Sequence, residues 1–252
     1  MKLTFLGTGT SHGVPMIGCD CPVCTSTDPR NVRTRSSAII EIDGISVLID
    51  TSPEFRLQVL RENVRQIDAI LYTHAHADHV FGLDDIRRFN DMSHKTICCY
   101  GSAETLNTIR QAFEYIFIPT QIGGGKPQIE LISIDAPFGV NNVQITPIPV
   151  FHGQLNVFGY RIDDLAYITD CSDIPDLSMQ LLADLDTLIL GVLRAEPHET
   201  HFSISQGLAI VQELKPKRAF FTHIAHRLDH EITNQALPPN VQLAHDGLQI
   251  EL

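Results

Sequence analysis

The sequence has no run of about 18 consecutive apolar residues, so it predicts no membrane-spanning helix. The first residues, Met1–Gly7, are too few and too soon interrupted by glycine to form a signal peptide, and we therefore expect a cytoplasmic protein. Internal repeats, low-complexity tracts and linker-like segments are also missing. We expect residues 1–252 to form a single domain, which is long enough to bury a large core.

Basic residues are scarce. The chain has 18 Lys and Arg against 30 Asp and Glu, which gives a formal net charge of −12. No basic run or stripe is present, and this argues against a long nucleic acid held by phosphate contacts. Bound divalent cations would each offset about two charges. The composition therefore predicts neither a long nucleic-acid partner nor a membrane partner, but it allows metals and small anions.

The six cysteines are not spread like a disulfide framework. Three of them, Cys19, Cys21 and Cys24, lie within one short C-x-C-x-x-C motif, and the others lie elsewhere in the chain. Three thiols at this spacing are typical of tetrahedral zinc, with a fourth ligand such as a histidine supplied from another segment. A Cys21–Cys24 disulfide and plain free thiols are the alternatives.

The densest group of metal-type residues is an H-x-H-x-D-H motif formed by His74, His76, Asp78 and His79. It follows the apolar segment 69–72, which has the length and composition of a buried strand. Four polar side chains cannot be buried together unless something satisfies all of them. The pattern therefore predicts a metal site at the carboxyl end of a strand, with a histidine-rich surface loop as the alternative.

Three further predicted strands end in residues of the same type. His152, Asp170 and His223 each directly follow one of these strands. Each residue alone is weak evidence, since an isolated histidine is more often an ordinary one. Together with the motif they supply enough imidazoles and carboxylates for two divalent ions. Imidazoles favour Zn²⁺ or Fe²⁺ and carboxylates also accept Mn²⁺, so the metal stays open.

Other local patterns predict secondary structure. Asp43-Gly44 between two apolar runs predicts a hairpin turn, and Ser203 with Gln206 fits a capping box at the start of a helix. Ser52 before Pro53 predicts another helix N-cap. The segments 241–244 and 248–252 predict a hairpin that closes the chain.

The order of the ligands along the chain resembles that of the metallo-β-lactamase superfamily. This resemblance implies an α/β fold, a four-layer αβ/βα sandwich of two mixed sheets flanked by helices. It also implies that His74, His76 and His152 bind one metal. A second metal would then be bound by Asp78, His79 and His223, and Asp170 would bridge both.

Three other features resemble the PhnP-like branch, which contains phosphoribosyl 1,2-cyclic phosphate phosphodiesterase: the glycine- and cysteine-rich segment 7–24, the segment 222–226 and the segment 244–247. The resemblance implies a structural zinc bound by Cys19, Cys21, Cys24 and His226, an additional active-site histidine at His201, and a homodimer. Phe117–Lys126 and Arg194–Thr200 depart from the family pattern, which leaves the substrate open.

We therefore expect a binuclear metal-dependent hydrolase, most of all a phosphodiesterase that acts on a small linear or cyclic phosphodiester. A metal-bridging hydroxide would attack phosphorus, Asp78 would orient this nucleophile, and His201 would protonate the leaving oxygen. A thioester or lactone hydrolase on the same scaffold is one alternative. An RNA-processing nuclease and a non-catalytic cofactor-biosynthesis protein are others; the missing basic surface and the intact histidine motif, respectively, count against them.

Overall fold

The structure is a computed structural model that describes residues 1–119 and 125–252. The divergent segment Phe117–Lys126 therefore lies partly outside the described residues. The strands form two sheets, and helices lie between some of them along the chain.

The first sheet is mixed and, in the described part of the chain, has seven strands in the order β15-β1-β2-β3-β4-β5-β6. The pairs from β15 to β3 are antiparallel, and the pairs from β3 to β6 are parallel. The strands are β1 (Lys2–Gly7), β2 (Ser37–Ile42), β3 (Ile45–Ile49), β4 (Ala69–Leu71), β5 (Ile97–Gly101), β6 (Ile129–Ser133) and β15 (Gln249–Glu251).

The second sheet is also mixed, with the order β14-β13-β11-β10-β9-β8-β7 and a short strand, β12, beside β11. The pairs among β14, β13, β11 and β10 are parallel, and the remaining pairs in the main order are antiparallel. The strands are β7 (Phe138–Val140), β8 (Val143–His152), β9 (Leu155–Ile162), β10 (Leu165–Ile168), β11 (Thr187–Arg194), β12 (Phe202–Ser203), β13 (Arg218–Thr222) and β14 (Val241–Leu243).

The main core lies between the two sheets, where the ring centroids of Phe5 and Phe220 are 6.0 Å apart. Side chains alternate along each strand. Val47 and Ile49 of β3 therefore point into this core, while Leu48 packs on the opposite face, in the cluster that includes helix residues. Burial on both faces explains why every residue of β3 except Ser46 is apolar.

Helices cover the outer faces of both sheets and pack in two further apolar clusters. None of the helices in the described residues is both long and apolar enough to cross a membrane. The resulting layers, helix–sheet–sheet–helix, confirm the predicted four-layer αβ/βα sandwich. The helices are α1 (Phe55–Arg61), α2 (Ala77–Val80), α3 (Arg87–Ser93), α4 (Ala103–Ala112), α5 (Glu114–Phe117), α6 (Asp176–Leu181), α7 (Ile204–Leu214) and α8 (His230–Ala236), with 3₁₀ turns at Pro29–Asn31 and Leu83–Ile86.

The parallel pairing directs several loops to one edge of the sandwich. The carboxyl ends of β3 and β4 are adjacent, and so are those of β10, β11 and β13. A backbone hydrogen bond of 3.0 Å from Phe158 to the carbonyl of Thr73 connects the two sheets there. Polar residues that follow these strands therefore meet at one place.

Two local predictions are confirmed and two are wrong. The Asp43-Gly44 turn joins β2 to β3, and Ser203 forms the capping box of α7. Ser52 is not an N-cap, because its hydroxyl donates to Gln58 and α1 begins only at Phe55.

The predicted closing hairpin does not form. β14 pairs with β13 in the second sheet, and β15 pairs with β1 in the first. The connection crosses between the sheets, where the Asp246 carboxylate accepts hydrogen bonds of 2.9 Å from the backbone of Thr8 and Thr34. These bonds anchor the segment that connects β14 to β15.

Candidate metal centre

The structure brings together all seven residues that the sequence predicts as active-site metal ligands. They form two groups, and the candidate ligand atoms within each group lie within 4.8 Å of one another. The groups are His74, His76, His152 and Asp170, and Asp78, His79, Asp170 and His223. Metal binding by these residues remains a prediction.

Asp170 belongs to both groups because its two carboxylate oxygens face different imidazoles. Oδ2 lies 3.9 Å from His74 Nε2 and 3.8 Å from His152 Nε2. Oδ1 lies 3.3 Å from His79 Nε2 and 3.2 Å from His223 Nε2. This is the arrangement that a carboxylate needs to bridge two cations.

The donor atoms fit divalent cations. The Nε2 atoms of His74, His79 and His223 are buried and have no hydrogen-bond partner among the described residues. Unpaired buried polar atoms cost free energy and are rare in folded proteins. A cation that accepts these lone pairs would remove the cost, and imidazole with carboxylate is a donor set that suits Zn²⁺, Fe²⁺ and Mn²⁺.

Access to the centre is one-sided. His76 is exposed and Asp78 is half-buried, whereas the other five residues are buried. A ligand can therefore approach from the side of α2, whose first turn contains Asp78. Burial opposes ionisation of Asp78, but the neighbouring imidazoles of His223 and His79 hold its pKa below the usual range.

Electrostatics keep Asp170 ionised although it is completely buried. Burial alone would raise its pKa, but the facing imidazoles of His223 and His79 lower it far below the usual range. Asp170 and His223 also have left-handed backbone, with φ values of 45° and 57°. Such conformations are uncommon for residues other than glycine and tend to occur where a site requires them.

The sequence analysis missed Asp50, which lies directly behind His79. Its Oδ2 accepts a hydrogen bond of 2.6 Å from His79 Nδ1, and its two oxygens accept bonds of 2.8 Å from the amide and hydroxyl of Thr73. Because Nδ1 donates to this carboxylate, Nε2 is left to face the centre. The sequence carries one sign of this role, because Asp50 is a carboxylate that directly follows strand β3.

His152 is oriented in the same way by a different partner. Its Nδ1 donates a hydrogen bond of 2.7 Å to the carbonyl of Thr200. The loop between β11 and β12 thereby helps to determine which nitrogen of His152 faces Asp170. A loop that differs from the family pattern is thus joined directly to the centre.

His201 lies beside the seven residues but outside both groups. Its ring centroid is 4.6 Å from that of His152 and 4.8 Å from that of His223. Burial, followed by the neighbouring His223, lowers the pKa of His201 to about 3. The imidazole is therefore neutral at neutral pH unless a bound anion raises its pKa.

A second candidate metal group lies at the loop after β1. Cys19, Cys21, Cys24 and His226 again have their ligand atoms within 4.8 Å. His226 Nδ1 lies 3.3 Å from Cys19 Sγ and 3.4 Å from Cys21 Sγ. All six cysteines are free, which does not support the alternative of a Cys21–Cys24 disulfide.

The thiols of this second group differ in acidity. A hydrogen bond from the Cys24 backbone is the largest effect that lowers the pKa of Cys21, to about 6. Burial raises the pKa of Cys24 to about 11. A thiolate is the metal-binding form, so Cys21 is ready to bind at neutral pH, and Cys24 would be deprotonated by the metal itself.

Comparisons with known proteins agree with this geometry. The family model described as the beta-lactamase superfamily domain matches residues 46–224. The crystal structure described as a new diphosphatase from the PhnP family has 45% sequence identity and a TM-score of 0.93, and the match covers 100% of this chain and 97% of that one. Zn²⁺-bound PqqB from Methylobacterium extorquens, at 21% identity and a TM-score of 0.81, covers 100% of both chains and shares the fold.

A curated relative is longer. The octanoyltransferase of Porphyromonas gingivalis (strain ATCC BAA-308 / W83) is 35% identical over 254 residues, which covers 99% of this chain but only 51% of that protein. The chain thus spans about half the length of this relative.

The contacts of Asp50 generate a test of its role. Asp50→Asn cannot accept all three hydrogen bonds, so it should lower the free energy of unfolding by about 1–3 kcal/mol. It should also weaken metal retention about 10- to 100-fold, as expected when a carboxylate behind a ligating histidine is lost. Denaturant unfolding and competition with a chelator measure the two effects.

Asp43→Asn is the matched control, because Asp43 also has a left-handed backbone, with a φ of 50°, but is exposed in the β2–β3 turn. It should change neither quantity. Unchanged metal retention in Asp50→Asn would contradict the role of this carboxylate.

Proposed function

The chain belongs to the metallo-β-lactamase superfamily, in its PhnP-like branch, and we propose that it is a metal-dependent hydrolase that cleaves a small phosphodiester or diphosphate. The observation that carries the proposal is Asp170, whose two oxygens face two separate sets of imidazoles. The PhnP-family diphosphatase, which matches over the whole chain, supports phosphorus chemistry.

The ligand assignment follows from the two groups. His74, His76 and His152 would hold one divalent cation and Asp78, His79 and His223 the other, with Asp170 between them. Two such cations would lower the pKa of a water molecule and neutralise charge on phosphoryl oxygens. Zn²⁺, Mn²⁺ and Fe²⁺ all suit the donor set.

Two side chains beside the cations have separate roles in the proposed reaction: one orients the attacking water, and the other transfers a proton. Asp78 is the half-buried carboxylate on the accessible side, 3.4 Å from His79 Nε2 and 3.7 Å from His223 Nε2. It would accept a hydrogen bond from the attacking water, aim it at phosphorus and take up the proton that the water loses as its oxygen bonds to phosphorus. His201, whose ring centroid lies 4.8 Å from that of His223, would donate a proton to the leaving oxygen as its bond to phosphorus breaks, after the negative phosphoryl group has raised its low pKa.

Acyl-group chemistry is the second candidate, because the relative in Porphyromonas gingivalis is named octanoyltransferase. Half of that protein has no counterpart in this chain. The cysteine nearest in sequence to the centre, Cys171, is buried, and burial raises the pKa of its thiol. It is therefore not an available nucleophile, and phosphorus chemistry is the better supported function.

A substrate screen separates the two functions. The protein, loaded with Zn²⁺ or Mn²⁺, is assayed on bis(p-nitrophenyl) phosphate, a cyclic phosphodiester, a dialkyl diphosphate, an octanoyl thioester and a lactone. We expect turnover of the phosphorus compounds. Turnover of only the thioester or the lactone would refute the proposal while leaving the two-metal assignment intact.

The position of His201 generates a prediction for catalysis. His201→Ala should leave the metal content unchanged and lower kcat by about 10²–10⁴-fold, the usual contribution of a general acid. Steady-state kinetics and elemental analysis of the same sample measure both. His94→Asn, which changes an exposed histidine after α3, is the control and should behave like the wild type. Wild-type turnover by fully metallated His201→Ala would exclude the role.

We also propose that the cysteine group holds a structural zinc, since three thiols and one imidazole match a tetrahedral zinc site. The zinc would join the loop after β1 to the segment that follows His223. Cys19→Ser should then lose one zinc per chain and melt at a lower temperature. Cys98→Ser changes a half-buried free cysteine in β5 and should keep both properties. Equal zinc content and melting temperature in the two variants would refute the assignment.

A further inference from the structure

A pocket of about 290 Å³ lies between helices α1 and α3, on the outer face of the first sheet. We call it the α1–α3 pocket. In the described part of the chain, none of the candidate metal ligands lines it. The proposed reaction therefore does not use this cavity. Its apolar lining consists of Phe55, Val59, Leu60, Val64, Phe89 and Met92.

The α1–α3 pocket has a buried floor and an exposed apolar rim. Phe55, Val59 and Phe89 are almost fully buried, and the ring centroids of the two phenylalanines are 6.0 Å apart. Leu60 and Met92, in contrast, are 61% and 39% exposed. Large apolar side chains that are exposed beside an apolar cavity are typical of a binding site. An apolar group that enters the pocket would remove both rim side chains from water.

Three arginines surround this apolar lining. Arg56, Arg65 and Arg88 line the pocket, and all three are exposed. Within the part of the chain that the structure describes, none of them lies within ion-pair distance of a carboxylate. Asp85 is the one acidic residue of the described lining. The excess of guanidinium groups attracts anions, although the chain as a whole has a formal net charge of −12.

Arg65 retains its charge because its only side-chain partner among the described residues is neutral. Its Nε donates a hydrogen bond of 2.8 Å to Asn63 Oδ1. Arg65 also lines a neighbouring pocket of about 340 Å³, to which Lys95 and Asp68 contribute one charge of each sign. The carboxylate of Asp68 already accepts hydrogen bonds of 2.8 Å and 2.6 Å, from the amide of Ser46 and the side chain of Gln66. The positive charge at the rim is thus available to a ligand.

We propose that the α1–α3 pocket binds a medium-chain carboxylate, with the hydrocarbon chain between α1 and α3 and the carboxylate at the arginines. Burial stabilises a hydrocarbon chain in proportion to its area, and a guanidinium group matches a carboxylate through paired hydrogen bonds. The volume lies just below the range of about 300–1,000 Å³ for drug-sized ligands, which favours a medium chain over a long one. This site is independent of the proposed hydrolase function.

The test compares three ligands that separate the two halves of the site. Octanoate, 1-octanol and acetate are titrated into the metal-loaded protein in a calorimeter. Octanoate should bind at least about 100-fold more tightly than acetate, which lacks the chain. It should also bind at least about tenfold more tightly than 1-octanol, which lacks the charge. Acetate additionally reports any carboxylate binding at the metals.

Variants assign the charged half of the site to the arginines. Arg56→Gln/Arg65→Gln/Arg88→Gln should lower the affinity for octanoate at least about tenfold, while the affinity for 1-octanol should stay within about twofold. The three side chains are exposed, so the melting temperature should not change. Arg110→Gln, which changes an exposed arginine of α4 outside the pocket, is the control and should bind octanoate like the wild type.

Two leucines of α1 offer a matched pair for the apolar half. Leu60 lines the pocket and is 61% exposed, whereas Leu57 is 59% exposed and does not line it. Leu60→Ser should weaken the binding of octanoate and 1-octanol at least about threefold, because less apolar surface is buried. Leu57→Ser should leave both affinities unchanged. Neither substitution should lower the melting temperature.

Three results would overturn the inference. The first is no binding of octanoate, or equal affinity for octanoate and 1-octanol. The second is unchanged octanoate binding in the triple arginine variant, which would place the carboxylate at the metals instead. The third is a change of molecular mass in Leu60→Ser but not in Leu57→Ser, measured by light scattering, which would identify a second copy of the chain as the occupant.

Discussion

The site depends on one electrostatic constraint: the carboxylate of Asp170 is buried among four imidazoles. Burial removes the hydration of the carboxylate and of the imidazole nitrogens that have no partner, and each loss costs free energy. In the protein alone, the carboxylate stays ionised because imidazoles surround it. Two cations between the carboxylate oxygens and the ring nitrogens would satisfy these oxygens and the unpaired Nε2 atoms of His74, His79 and His223. The carboxylate oxygens and the Nε2 atoms that face them are therefore paired only when cations are bound between them.

Two layers of contacts maintain this arrangement. Asp50 and Thr200 hold the far nitrogens of His79 and His152, so the rings present Nε2 to the centre. Parallel pairing of β3 with β4 places Asp50 next to Thr73, and the same pairing in the second sheet places Asp170 near His223. The position of each ligand therefore follows from the sheets rather than from the loops alone.

The seven candidate ligands could be predicted from the sequence because each has a local signal: four lie in the H-x-H-x-D-H motif, and three lie at the ends of apolar strands. Asp50 could not be assigned, since its contact with His79 spans 29 positions and depends on the pairing of β3 with β4. The closing hairpin failed for a related reason: β14 and β15 have short-range signals, but their partners β13 and β1 are distant in the sequence. Local patterns identified elements and ligands, while pairing across the chain determined their partners.

The two candidate metal groups are also connected. His226 follows His223 by three residues, and Ala225 between them, together with the loop after β1, lines a pocket of about 270 Å³ that His201 also lines. A metal at the cysteines would therefore stabilise a pocket wall and one side of the active centre together.

The central claim is that the buried polar clusters are metal sites, and the most direct test is elemental analysis of the purified protein after reloading with metal and desalting. The account predicts about three tightly held divalent ions per chain, because two ligand groups share Asp170 and a third contains the cysteines. Retention of one ion or none would contradict it.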